Sequence, residues 1–139
     1  ALVDINDSDI EVNVEKGVVF ISISDKLLFR SGSYTVTDRA KEVLGKVARV
    51  INDKTEIEFM VEGHTDNVPL VFGSKYRDNW DLAAARAASV VQNLQETNVI
   101  DAKRLIATSK GETQPIASNQ TRQGRSKNRR IEIEINYGK

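Results

Sequence analysis

The stretch Glu56-Ile57-Glu58-Phe59-Met60-Val61-Glu62-Gly63-His64-Thr65-Asp66-Asn67-Val68-Pro69 decides how the chain is read. Its first seven residues alternate. Ile57, Phe59 and Val61 point one way, and Glu56, Glu58 and Glu62 the other, which is the period of a half-buried strand. Gly63 then ends the strand, and His64, Thr65, Asp66 and Asn67 follow as a polar loop. Loops at strand ends carry polar groups on a rigid base, so this one is a candidate site. The bland alternative is a turn at Gly63 whose polar residues face water.

Helices flank this strand. Upstream, Thr37 has the chemistry of an N-cap, and Ala40, Val43, Leu44, Val47, Ala48 and Ile51 recur at steps of three and four. That spacing predicts one helix from about 38 to 52. Downstream, residues 67–78 form an irregular stretch, and Asp78 or Asn79 caps an alanine-rich helix running to about Glu96. Residues 9–14 and 18–23 alternate around Glu15-Lys16-Gly17 and read as a hairpin. Leu27-Leu28-Phe29 is a short apolar patch before a turn at Arg30–Ser33. Arg104–Thr108 reads as a sheet segment, 121–127 as one or two helical turns, and Ile131, Ile133 and Ile135 mark a closing strand. The order predicts a two-layer α/β (α+β) sandwich, with the two main helices on one side of the sheet.

The chain has 139 residues with 20 basic and 20 acidic side chains, and so a formal net charge of zero. This fits one domain, 9–139, with 1–8 as a flexible lead-in. Charge balance argues against a duplex nucleic-acid partner. Without cysteine, disulfides and thiolate chemistry are excluded. The apolar runs fall short of the ~20 residues that a membrane-spanning helix needs. No signal peptide precedes Ala1 and no starting Met is present, so the chain reads as a mature protein or a domain of a longer one, with any membrane anchor upstream.

Arg86 shares a helix face with Leu82 and Val90, among small alanines. A partly buried guanidinium must find an anion. One reading pairs it internally with Asp66 or Glu62. The other sets Asp66 and Arg86 across a small gap, where a carboxylate takes an ammonium and a guanidinium takes a carboxylate, a fit for a zwitterion. Asn79 at the helix start adds backbone donors, or serves only as a cap. Residues 121–130 carry five positive and no negative charges, a solvated face or a phosphate contact. His64 and Asp66 supply at most two metal ligands, fewer than a zinc site needs. No nucleophile triad or phosphate-binding glycine motif is evident.

Gly63-His64-Thr65-Asp66, Asn79-x-x-Leu82-x-x-x-Arg86-Ala87-x-x-Val90 and Thr121-x-x-Gly124-Arg125-x-x-Asn128-Arg129-Arg130-Ile131 occur in that order. Together they resemble the OmpA C-terminal-like domain, also found in Pal and MotB, over about residues 18 to 136. Leu28-Phe29-x-Ser31-Gly32 and Gly111-Glu112-x-x-Pro115 resemble its opening patch and penultimate loop. Ala83 and Lys110 depart from the residues usual at their positions. The resemblance implies a βαβαβ core with a mixed sheet, and non-covalent peptidoglycan binding in the periplasm without a cofactor or catalytic residues. It implies that Asp66 contacts the ammonium and Arg86 the carboxylate of diaminopimelate in the stem peptide. Phe29, Thr65, Asn79 and Leu82 would line the pocket, with Arg130 supporting it. The parent is then an outer-membrane OmpA-type protein, attached through a missing N-terminal region, or a MotB-type flagellar stator. A homodimer is compatible with either. Two rival readings are a hydrolase using His64 and Asp66, and a structural domain in which Asp66 and Arg86 merely pair.

Overall fold

The computed structural model describes residues 10–29, 35–53, 58–70, 74–96 and 100–136, apart from the side chains at 50, 51, 53, 58 and 102. The expected lead-in at 1–8, the turn at 30–33 and the strand start at 56–57 lie outside the described residues. The described residues form five strands: β1 (Ile10–Glu15), β2 (Val18–Ser24), β3 (Glu58–His64), β4 (Ala107–Gly111) and β5 (Arg130–Asn136). The helices are α1 (Asp25–Leu28), α2 (Asp38–Asp53), α3 (Asn79–Glu96) and α4 (Arg122–Asn128). The sheet runs β1-β2-β5-β3-β4, with β3 and β4 parallel and every other neighbour antiparallel. This is the two-layer α+β architecture that the element order implied, with the mixed sheet that the family resemblance implied.

One face of the sheet makes the core. Val19, Ile21 and Ile23 of β2, Phe59 and Val61 of β3, and Ile131, Ile133 and Ile135 of β5 are all buried. They meet Val43, Leu44 and Val47 of α2 and Ala87, Val90 and Leu94 of α3 in one cluster. Full burial of such a side chain is worth roughly 1.5–3 kcal/mol, so this face holds the helices in place. Thr37 caps α2 as expected: its Oγ1 accepts from the Ala40 N–H at 3.1 Å and donates to the Leu27 carbonyl at 2.7 Å.

Four local expectations are corrected. Gly63 does not end β3, because the strand pairs on through His64. Gly63 instead lets α3 approach, since a Cβ there would sit 2.2 Å from the Ala83 carbonyl oxygen. Glu62 is 7% exposed rather than facing water. Leu27 and Leu28 close a helical turn, α1, and are not a mere apolar patch. The segment at 104–108 begins later: Ala102–Arg104 is a 3-10 turn, and β4 pairs from Ala107 opposite Val61. Leu105-Ile106 looked like the start of the strand, yet Ile106 is 54% exposed.

No helix among the described residues is long and apolar enough to cross a membrane.

Candidate functional site

Sheet register brings three chain segments to one place. Within the sheet, Ser24 lies opposite Arg130, and Arg130 opposite His64. Asp25, Arg129, Thr65 and Asp66 therefore emerge together just past the ends of β2, β5 and β3. The Asp25 N–H donates to the Arg129 carbonyl at 3.0 Å and the Thr65 N–H to the Gly111 carbonyl at 2.8 Å. Because α3 follows β3 and presses on Gly63, Arg86 reaches the same spot. In open α/β sheets, the carboxyl ends of parallel strands are the usual place for a ligand crevice.

The charges alternate in a chain of contacts. Arg86 Nη1 donates to Asp25 Oδ2 at 3.1 Å, Arg129 Nε lies 3.5 Å from the same oxygen, and Arg129 Nη1 donates to Asp66 Oδ2 at 2.7 Å. Arg86 thus pairs with neither Asp66 nor Glu62 but with Asp25, and Asp66 pairs with Arg129. Its other oxygen, Oδ1, accepts the Val68 N–H at 3.0 Å, which fixes the carboxylate. Burial pushes the Asp25 pKa above the usual carboxylate range, although Arg86 and Arg129 pull it down; the nearby Asp66 charge adds to the rise. Arg86 also lies over the Phe29 ring, 5.2 Å from its centroid, and its buried Nε has no partner among the described residues.

These groups line one open cleft of about 1030 Å³. Phe29, Thr65, Asp66, Asn79, Leu82 and Arg86 all lie on its wall. Asn79 does not cap α3. Asp78 does, accepting the Asp81 N–H at 2.9 Å. The Asn79 amide nitrogen faces the Asp66 and Val68 carbonyls and Glu112 Oε1, at 3.3, 3.1 and 3.2 Å. It therefore ties the polar loop to the helix start. The Thr65 hydroxyl donates to the Asp66 carbonyl at 2.8 Å.

Arg130 sits elsewhere. One step along a strand reverses the face, so Arg129 enters the cleft and Arg130 the opposite face of the sheet. There, Arg130 Nε donates to Glu132 Oε2 at 2.6 Å, and its Nη atoms donate to the Asn128 and Gln114 carbonyls. Asn128, fully buried, accepts from the Ile116 and Ala117 N–H groups and so fixes the start of β5. His64 is also on this face, 3.1 Å from Glu62, and does not meet Asp66. Glu62, His64 and Glu132 place possible metal-ligand atoms within 4.8 Å of one another, but the Arg130 guanidinium already supplies the positive charge there.

Burial, helped by Arg130, lowers the His64 pKa below 6.5, against the opposing pull of Glu132 and Glu62. The unfolded chain then binds a proton before the folded one does. Stability from this group is complete above about pH 6.5 and falls with pH through the lowered folded value, by up to about 1.4 kcal/mol per pH unit. We expect urea unfolding of the wild type to lose more stability on acidification than that of His64→Gln. Parallel losses would show that His64 is not the proton acceptor.

Neither Asp25 nor Arg129 was named as a site residue from the sequence, although Arg129 falls in the third family motif. The signal was the strand register, which sets Asp25 and Arg129 beside Asp66.

A family model described as OmpA family matches residues 28–129. Motility protein B of Bacillus subtilis is 33% identical over 126 residues, 91% of this chain and 48% of that protein. Outer membrane protein Omp38 of Acinetobacter baumannii is 33% identical over 106 residues, 76% of this chain and 28% of that protein. Among solved structures, the cell wall anchor of the T6SS from Pseudomonas aeruginosa superposes with a TM-score of 0.82 at 31% identity, covering 93% of this chain and 88% of that one. The chain spans about half the length of the first curated relatives it matches.

Proposed function

The chain belongs to the OmpA family, and on that footing we propose that it binds peptidoglycan non-covalently, holding the zwitterionic end of diaminopimelate in the cleft beside Asp66 and Arg86. The observation that carries this reading is the alternating set Arg86, Asp25, Arg129 and Asp66 on the wall of an open cleft. Two carboxylates and two guanidiniums balance each other when the cleft is empty. A zwitterion entering between them keeps that balance, whereas a singly charged group disturbs it. The ligand carboxylate takes Arg86, whose Nε is unpaired among the described residues, with Arg129 beside it. The ammonium takes Asp66, with Asp25 as its second neighbour. The raised pKa of Asp25 fits a carboxylate that gains from an added cation. Phe29 and Leu82 cover the hydrocarbon between the two ends, Thr65 and Asn79 hold the Asp66 loop, and Arg130 steadies the start of β5.

In this reading the domain is not an enzyme and uses no cofactor. It works in the periplasm and fastens a longer parent protein to the wall. An outer-membrane protein of OmpA type is one parent, and a MotB-type stator is the other. The longer match to Motility protein B, 91% of the chain against 76% for Omp38, favours the stator. Deleting the parent gene stops swimming if it is a stator and leaves swimming intact if it is not.

Co-sedimentation with purified sacculi tests the binding. The protein is expected in the pellet, and free meso-diaminopimelate is expected to release it. A protein that stays in the supernatant contradicts the proposal.

A further inference from the structure

The cleft is larger than one amino acid end requires. Pockets that enclose a whole drug-sized ligand span roughly 300–1,000 Å³, and this one is about 1030 Å³. Beyond the four charges, its wall is made by Val68, Pro69 and Leu70 and, nearer α3, by Ser74, Lys75 and Tyr76. Tyr76 carries the further signal. Its Oη is buried yet has no hydrogen-bond partner among the described residues. The Tyr76 N–H donates to Ser74 Oγ at 3.2 Å, and Lys75 Nζ lies 5.5 Å from the ring centroid. A buried hydroxyl without a partner is costly, and Tyr76 itself lines the cleft, so a small turn of the ring toward a bound ligand would give the hydroxyl the partner it lacks in the empty cleft.

We infer that Tyr76 reads the peptide part of the stem, its Oη hydrogen-bonding a backbone amide next to the diaminopimelate. This rests on the reading of the cleft as a stem-peptide site. A phenol both donates and accepts, so either a peptide carbonyl or a peptide N–H completes it. Val68, Pro69 and Leu70 give the same peptide an apolar wall. The charged end is then recognised by Asp66 and Arg86, and the length of the ligand by Tyr76. The zwitterion alone, free diaminopimelate, would bind without using the phenol.

Tyr76→Phe removes only the hydroxyl. Calorimetric titration with a diaminopimelate-containing stem tripeptide and with free meso-diaminopimelate, on wild type and variant, tests the assignment. The variant is expected to bind the tripeptide roughly threefold to tenfold more weakly, as the loss of one neutral hydrogen bond implies, and to bind free diaminopimelate as wild type does. Its melting temperature is expected to match or exceed that of wild type, because the free protein gives up no partner. Unchanged tripeptide affinity overturns the assignment, and so does an equal loss for both ligands. A lowered melting temperature would show that the hydroxyl is already bonded within the protein. Wild type that binds neither ligand removes the stem-peptide reading itself, and that outcome is visible without the variant.

Discussion

Arg86→Lys is expected to release the protein from sacculi while leaving it folded. Arg86 is 9% exposed at its side chain and bonds Asp25 at 3.1 Å, so deleting the charge outright would strip a buried carboxylate of one of its two cations. Lysine keeps a positive charge beside Asp25 but loses the planar fork that grips a carboxylate with two parallel bonds. Charge-assisted bonds of this kind contribute roughly 1.5–3 kcal/mol, so affinity for a diaminopimelate stem should fall by about one to two decades. Arg86→Ala should lose at least as much binding and some stability besides. Pelleting assays read the first effect, and urea unfolding the second. If Arg86→Lys pellets as wild type does, the guanidinium is not the carboxylate contact.

Gly63→Ala is expected to cause the largest loss of stability of the single changes considered. The new Cβ would lie 2.2 Å from the Ala83 carbonyl oxygen and 2.8 Å from its carbonyl carbon. Both are backbone atoms in the second turn of α3 and cannot turn aside as a flexible side chain would. Overpacking of this kind typically costs 1–3 kcal/mol, and with a backbone in the way we expect about 3 kcal/mol. The only relief is for α3 to move off β3. That movement would carry Asn79 and Arg86 away from Asp66, so stem-peptide affinity should fall in the population that remains folded. The urea midpoint should drop with an unchanged slope. A variant with the wild-type midpoint would mean that α3 does not press on β3 at Gly63.

The pattern of alternation and helical spacing foretold most of the framework, because those signals are local. Ile131, Ile133 and Ile135 had to face a core, and Ala40, Val43, Leu44, Val47 and Ala48 had to form one helix face; all eight are buried. Phe29, Thr65, Asp66, Asn79, Leu82 and Arg86, named on a family resemblance, meet on one cleft wall. What stayed hidden depends on distant pairing. Asp25 sits in a break after a hairpin with nothing nearby to mark it, and Arg129 falls in a family motif and a run of positive charges that give it no place in the cleft. Only the register of β2, β5 and β3 brings them to Asp66. The same register explains why neighbouring arginines separate, Arg129 to the cleft and Arg130 to Glu132. Glu62 read as solvated because the outer face of a sheet usually is, yet here it is buried beside His64. Gly63 read as a turn because glycine often is, whereas its use is the close approach of α3.

Titrating the wild-type protein with two stem peptides, identical but for diaminopimelate or lysine at the third residue, tests the central claim most directly. Lysine keeps the distal ammonium and lacks the distal carboxylate, so it leaves Arg86 and Arg129 without their ligand. The diaminopimelate peptide is expected to bind at least about tenfold more tightly, in line with the loss of charge-assisted bonds. Equal affinity for the two would mean that the guanidiniums of the cleft do not hold the ligand's carboxylate.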